Sequence, residues 1–544
     1  MKIKNVGYII LSLLLSIPAI GGVNLKNGNF YISYTDIVVP GGANSLKITR
    51  TYNSKSTHEG WFGFGWGSDF ETYLKPQADG SVVVFENGGG ATTRFTPKAA
   101  VDPKKAAQKI VDAMRKRSAI AAKAANDLVV KLTKDAELRL LYGKKFNVES
   151  SIANGSTLYS NNRGIQELSV AKAGYVRKYT DGKKHHFNKL GKLIKITEKN
   201  GYYTKFTYEK TGLLKNIKDS QAKQLFFSWY PNKRAKEIWS GGDKKAFYKY
   251  SGKDLSYSKD ISGNIYTYTY DKIHNLSGIV YTDKSKMAIT YDKKTQFVTS
   301  VTTKNGDKTS YKYGANPKDP KNHYWTSVTK KGFNGKPVTN KYEYEIRTKP
   351  DGERYTYRIA TNINSVNTET IYSECCSLPL KIARGKHITN FDYDESGLLL
   401  KKTSTKGDFI KLEYNNKIKK IAKVTDNKGW TKFNYDKKGN LTKALNSKGQ
   451  AVLLVYDRKG KITKMVDTYK SSKKKRILSF KYNSMGKPVE ITMSKVGKIN
   501  VAYDNYGEIK KVESKAGNKM ALQVTQAFQN LLSIVKPAGV SLNF

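Results

Sequence analysis

Between Asp426 and Ile462 apolar and polar positions alternate in runs of six or seven residues, each closed by a turn cluster. The clusters are "DNKG", "DKKG", "NSKG" and "DRKG", with glycines at 429, 439, 449 and 460. Alternation with a period of two marks strands. Asp or Asn at the first position and Gly at the fourth suit a type I turn followed by a left-handed residue, a common hairpin connection. The stretch predicts an antiparallel meander. Phe433 and Tyr435 point one way, and Leu441 and Leu445 resume on the next strand.

Two such strands make one repeat, so an aromatic should recur about every 21 residues, as it does. Tyr393, Tyr414, Tyr435, Tyr456, Tyr482 and Tyr503 are spaced 21, 21, 21, 26 and 21. A looser ladder runs through Phe187, Tyr208, Tyr230, Tyr250, Tyr270, Tyr291, Tyr313 and Tyr344. The next residue is Asp at 271, 292, 394, 436, 457 and 504, but Asn, Glu, Ser, Pro or Gly elsewhere. That tolerance suits a turn-former better than a catalytic acid. The residues singled out are therefore structural: Tyr270, Asp271, Tyr393, Asp394, Gly397, Tyr435, Asp436, Gly439, Tyr456, Asp457, Gly460, Tyr503, Asp504 and Gly507.

The pattern breaks in four places. Lys2 and Lys4 precede an apolar run from Tyr8 to Ile17, which predicts an export signal cleaved near Gly21. Residues 99–141 are rich in Ala, Lys and Leu, and Ile110, Met114, Ala121, Ala125, Leu128 and Leu132 recur at helical spacing. One or two amphipathic helices are expected there, as a cap over a sheet end or as a binding element. Residues 345–390 lose the phase and read as a loop or a degenerate repeat. From Lys519, Met520, Val524, Phe528, Leu531 and Val535 share a helical face that Pro537 ends. This helix should plug the ribbon end or dock a partner. The expected organisation is a signal peptide (1–21), a β-rich module (22–98), a helical insertion (99–148), looser repeats (149–344), an irregular region (345–390), regular repeats (391–515) and a helical tail (516–544).

The repeats "YTYDKIHNL" (268–276), "FDYDESGLL" (391–399), "FNYDKKGNL" (433–441), "VYDRKGKI" (455–462) and "AYDNYGEI" (502–509) resemble the YD repeats of the RHS (rearrangement hot spot) and teneurin-like families. The N-terminal stretch looks like the module that opens many RHS proteins. It matches in Asn27-Gly28-Asn29, Asp36, Pro40, "RTYNS" (50–54) and "GFGW" (63–66). The resemblance implies an all-β fold with small helical additions, an antiparallel hairpin ribbon coiling into a partial or small hollow shell. Large RHS toxins carry two Asp-Pro-x-Gly elements after the repeats. "NPKDPKN" (316–322) is the nearest text here and is not that motif, so autoproteolysis and toxin cargo are not carried over.

Charge and chemistry change the picture less. Lys plus Arg number 97 against 45 Asp plus Glu, a formal charge of +52, and nearly all the cations are Lys. Such an excess suits diffuse attraction to polyanions, or protection of sheet edges. The two cysteines, Cys375 and Cys376, are adjacent, which leaves open a disulfide or a pair of thiols. None of the six His residues sits at a metal-binding spacing, and adjacent His185 and His186 should face opposite ways on a strand. No catalytic, metal or cofactor residue is assigned. Three functions remain. The first is an exported, non-enzymatic β-shell at the cell surface, binding or enclosing carbohydrate, lipopolysaccharide or another polyanion, with a partner protein closing it. The second is a component of a toxin-delivery shell acting with a separate cargo chain. The third is a glycan-cleaving enzyme built on two converging carboxylates.

Overall fold

The computed structural model describes residues 20–39, 46–86, 90–98, 101–160, 165–199, 201–242, 245–332, 335–375, 377–468, 475–484, 486–503 and 509–535. One antiparallel sheet of 33 strands runs from Thr157–Ser160 to Ile509–Ser514, and its strands follow one another in sequence order. It is an open ribbon, not a closed barrel. It continues through 345–390, where Arg354–Ile363, Val366–Tyr372 and Pro379–Arg384 are strands.

The repeat explains why the ribbon curves. Just before the aromatic, the register slips by one residue. The slips fall between Thr207 and Tyr208, Lys249 and Tyr250, Thr269 and Tyr270, Asp392 and Tyr393, Asn434 and Tyr435, and Val455 and Tyr456. A bulge bends its strand and raises the local twist. All of these lie on the Tyr-Asp edge of the ribbon, so their bends add. The bulge also corrects one expectation. Leu445 pairs with Lys432 on the far face, and Ala444, opposite Phe433, takes the buried position.

The curvature brings distant repeats together. Lys199 Nζ donates to the Gly439 carbonyl at 3.0 Å across 240 residues, and Gln221 Nε2 donates to the Ser484 carbonyl at 2.9 Å across 263 residues. Gly439 and Ser484 lie in Tyr-Asp-type turns, whereas Lys199 and Gln221 lie near turns on the opposite edge. The Tyr-Asp edge of the later coil therefore stacks on the other edge of the earlier coil.

The described residues between 20 and 98 form three small sheets. This small module touches the ribbon at widely separated points. Thr96 pairs with Tyr159, Leu74 N–H donates to the Gly191 carbonyl, Phe64 N–H to Lys253, and Val298 N–H to Gly28. Thr326 Oγ1 donates to the Leu25 carbonyl, and Lys26 Nζ reaches Thr356 Oγ1. Only a ribbon wrapped around the module can present Tyr159 and Thr356 to it together. Phe30, Ile32, Tyr52 and Trp66 share one core with Phe206, Ile217, Ile238, Tyr248, Tyr268 and Ile279 of the ribbon. The face carrying these ribbon residues is thus the inner face.

The insertion forms three helices, α1 (Pro103–Arg115), α2 (Ala122–Lys134) and α3 (Ala136–Phe146), where one or two are expected. Asp135 accepts from the Leu138 N–H and so caps a new helix where the apolar spacing alone suggests continuation. Ile110, Ala125 and Leu132 are buried, but Ala121 is the exposed N-cap of α2. The group docks on the ribbon through the Ala136 N–H, which donates to the Gly352 carbonyl, and through Arg139, which donates to the Asp351 carbonyl.

The last helix, α4 (Gly517–Val535), lies on the inner face of the later coil. Met520 and Ala527 are buried, and Val524 and Leu531 pack beside them. Phe528, expected on that face, sits at its rim, 37% exposed, with its ring 6.2 Å from Phe480. Arg476 pairs with buried Asp467 at 2.7 Å and reaches Gln523 Oε1 at 3.2 Å, pinning the helix to the sheet.

Candidate binding surfaces of the coiled ribbon

The Tyr and Asp of each repeat serve the ribbon itself. The Tyr hydroxyl donates to a carbonyl on the adjacent strand. Tyr270 reaches Leu255, Tyr393 reaches Pro379, Tyr435 reaches Ile421, Tyr456 reaches Leu441 and Tyr503 reaches Pro488, all at 2.8–2.9 Å. Burial pushes Tyr435 and Tyr456 up to about 12, so the phenols stay protonated donors. The Asp carboxylate folds onto its own turn. Asp436 Oδ1 accepts the N–H groups of Lys438 and Asn440, and Asp271, Asp394 and Asp457 accept the same pair in their turns. Despite the cost of burial, these bonds hold the Asp436 carboxyl below the usual range. Gly397, Gly439 and Gly460 take the left-handed conformation, with φ of 88°, 74° and 75°. Asp504 and Gly507 lie outside the described residues.

Two ladder positions were hidden in the sequence. The bulge falls between Ser228 and Trp229, and the Trp229 indole N–H donates to the Leu214 carbonyl at 2.9 Å. Trp229, not Tyr230, is therefore the rung, and a search for an indole at the 21-residue phase would have found it. Tyr372 follows a bulge after Ile371, one repeat before Tyr393. Cys375 is disulfide-bonded; the chain's other cysteine, Cys376, lies outside the described residues.

The motifs of the N-terminal module are its docking groups. Arg50 is fully buried and donates to Asp36 at 2.6 Å and to Ser258 Oγ at 2.7 Å. Its guanidinium lies over the rings of Tyr34, Trp66, Tyr266 and Tyr268, 4.8–5.8 Å from their centroids. The Trp66 indole donates to the Tyr270 hydroxyl, and the Tyr52 hydroxyl accepts the Leu276 N–H, both at 2.9 Å.

Two surfaces are open to other molecules. The inner face is covered by the module around 206–298 and by α4 around 410–480, but between these cores Ile359, Thr361, Thr370 and Ile382 remain half-exposed. The outer face carries lysines set against aromatic rings. Lys195 lies 4.5 Å from the Tyr203 ring centroid, Lys245 5.3 Å from Trp239, Lys341 4.7 Å from Trp325 and Lys432 5.1 Å from Trp430. The outer face also brings together His323, Glu343 and Glu345, with ligand atoms within 4.8 Å of one another. Arg358 occupies this group, 3.1 Å from Glu343 and 2.7 Å from Glu345. Against the cost of burial, Lys341, His323 and Arg358 hold Glu343 at about 2. His185 and His186 face opposite sides. Burial drives His185 well below the ordinary imidazole range, while His186 pairs with Thr197 Oγ1 on the outer face.

Residues 21–95 match the family described as a domain of unknown function, DUF6531. Over 86 residues the chain is 35% identical to the tRNA3(Ser)-specific nuclease WapA of Bacillus spizizenii and 34% identical to the tRNA nuclease WapA of Bacillus subtilis (strain 168). Each match covers 16% of this chain and 4% of the relative. Among solved structures, TcdB2-TccC3-TEV is similar over 95% of this chain and 31% of that one, at 10% identity and a TM-score of 0.37. The Photorhabdus luminescens Tc holotoxin pore is similar over 89% and 29%, at 9% identity and the same TM-score. The chain is RHS/YD-repeat-like. No helix among the described residues is long and apolar enough to cross a membrane.

Proposed function

We propose that this protein is an exported, non-catalytic shell scaffold whose coiled ribbon holds polypeptide against its inner face. One observation carries the reading: the module and α4 both lie on that face, and the strands between them leave the same face half-exposed. The bare stretch offers Ile359, Thr361, Thr370 and Ile382, a mixed surface suited to unfolded chain. The export signal at Tyr8–Ile17 would place the shell in the periplasm, at the surface or outside the cell. The test uses reduced, carboxymethylated lactalbumin as a permanently unfolded probe. The intact protein should bind it and slow its digestion, and Ile359→Glu with Thr370→Glu should abolish both. Equal digestion with and without the scaffold would end the proposal.

The Lys–aromatic pairs of the outer face favour a second reading, adhesion to an anionic glycan. An aromatic ring offers a flat face to a sugar, and the lysine beside it neutralises a sulfate, phosphate or carboxylate. Binding to a sulfated glycan and to lipopolysaccharide should fall steeply as salt is raised. Binding indifferent to salt, or absent at low salt, would reject it.

A further inference from the structure

The disulfide at Cys375 does little for the stability of the fold. The chain has two cysteines and they are neighbours in sequence, so the bond closes no loop. Disulfide stabilisation grows with the length of chain enclosed, and here nothing is enclosed. Cys375 is also exposed, in the connection between the strands Val366–Tyr372 and Pro379–Arg384. Exposed disulfides are the labile ones, open to exchange with an incoming thiol.

The surroundings of Cys375 are those of a site. It lines a cavity of about 170 Å³. Other walls come from distant parts of the chain: Arg94 from the module, Ser160 from the first ribbon strand, and Lys349 and Glu353 from a turn far along the ribbon. The charges of these walls are already matched. Lys349 pairs with Glu353 at 2.7 Å, and Arg94 pairs with Asp79 at 2.6 Å and with Asp351 at 2.9 Å. A charged ligand would have to disturb one ion pair to form another. Ser160 is the group left unmatched. It is 5% exposed, and its Oγ is buried without a hydrogen-bond partner. A buried hydroxyl in that state costs free energy, and a neutral acceptor entering the cavity removes the cost. An amide carbonyl is such an acceptor, and a cysteine residue within a peptide carries one beside its thiol.

We infer that this cavity is a thiol-exchange site for a cysteine residue of another polypeptide. The incoming thiol gives its proton to solvent, and its thiolate attacks Cys375 Sγ. A new S–S bond forms there as the existing one breaks, and the displaced sulfur leaves as a thiolate that takes a proton from solvent. One disulfide replaces another, so no oxidant or reductant is consumed. Ser160 Oγ donates to an amide carbonyl of the incoming chain and so seats its thiol against Cys375. The inference stands apart from the proposed function, because exchange at Cys375 needs neither polypeptide on the inner face nor glycan on the outer one.

The test treats the intact protein with a Gly-Cys-Gly peptide blocked at both ends, with 2-mercaptoethanol, or with glutathione. Iodoacetamide caps the displaced thiolate, and mass spectrometry of the protein and of its proteolytic fragments locates the adduct. One blocked peptide per chain should be found, on Cys375. At equal thiolate concentration it should react about fivefold faster than 2-mercaptoethanol, the worth of one hydrogen bond. Ser160→Ala should erase that preference while the rate with 2-mercaptoethanol and the melting curve stay unchanged. No adduct, an adduct confined to the other cysteine, equal rates for the two thiols, or a preference that survives Ser160→Ala would each overturn the inference. Glutathione reacting faster than the blocked peptide would overturn it too, and would assign the cavity to a small anionic thiol. The rates on the unmodified chain decide the matter even if the Ser160→Ala variant fails to fold.

Discussion

A Tyr hydroxyl at the ladder position donates to a main-chain carbonyl whose ordinary ladder bonds the bulge has disturbed. Phe would bury the same ring and leave that carbonyl a partner short, which favours Tyr at these rungs. Trp229 shows that an indole N–H can replace the phenol, whereas the rung at Phe187 carries no donor. Tyr435→Phe should therefore cost ~1 kcal/mol. Hydrogen exchange should quicken in the turn from Asp436 to Asn440 while distant turns stay protected. Unchanged exchange there would mean that the ring alone holds the rung. The Asp of the repeat is a backbone acceptor of the same local kind, so its carboxylate is spoken for by its own turn.

At the scale of elements, the periodicity showed the strands because strand alternation and turn chemistry are local. The 21-residue phase located the Tyr-Asp edge, and the apolar spacing located the helices. It could not show which surface a helix would meet. The motifs "RTYNS" and "GFGW" were visible as residues, but their role depends on strands more than 200 positions away, from Ser258 to Leu276. No local rule supplies that contact. Arg50 is the centre of it. Arg50→Leu would strand the buried Asp36 carboxylate, with a cost of ~3–5 kcal/mol. Limited proteolysis should then release the module before the ribbon is cut. If module and ribbon are digested at their wild-type relative rates, Arg50 does not hold them together.

At the scale of the whole molecule, coiling makes a seam between repeats some 240 residues apart, and this seam was illegible in the sequence. Curvature per repeat is small, and only its sum decides which turns meet. The seam buries cations beside one another. Burial, with Lys199 close by, pulls Lys420 down to about 8, and Lys199 is lowered too, chiefly by burial. In the unfolded chain Lys420 titrates near 10.5. Below about pH 8 it is protonated in both states, so the folded protein bears the full cost of a half-buried charge. Between about 8 and 10.5 the folded state releases this proton while the unfolded state keeps it. The unfolded state then binds more protons, so the Lys420 contribution makes stability rise with pH across that window. Lys420→Met removes the charge at every pH. The variant should be the more stable protein at pH 7, and its advantage should shrink steadily as the pH approaches 10.5. Urea titrations of both proteins from pH 7 to 10.5 measure that difference. A constant difference would mean that the two coils do not bury Lys420 against Lys199.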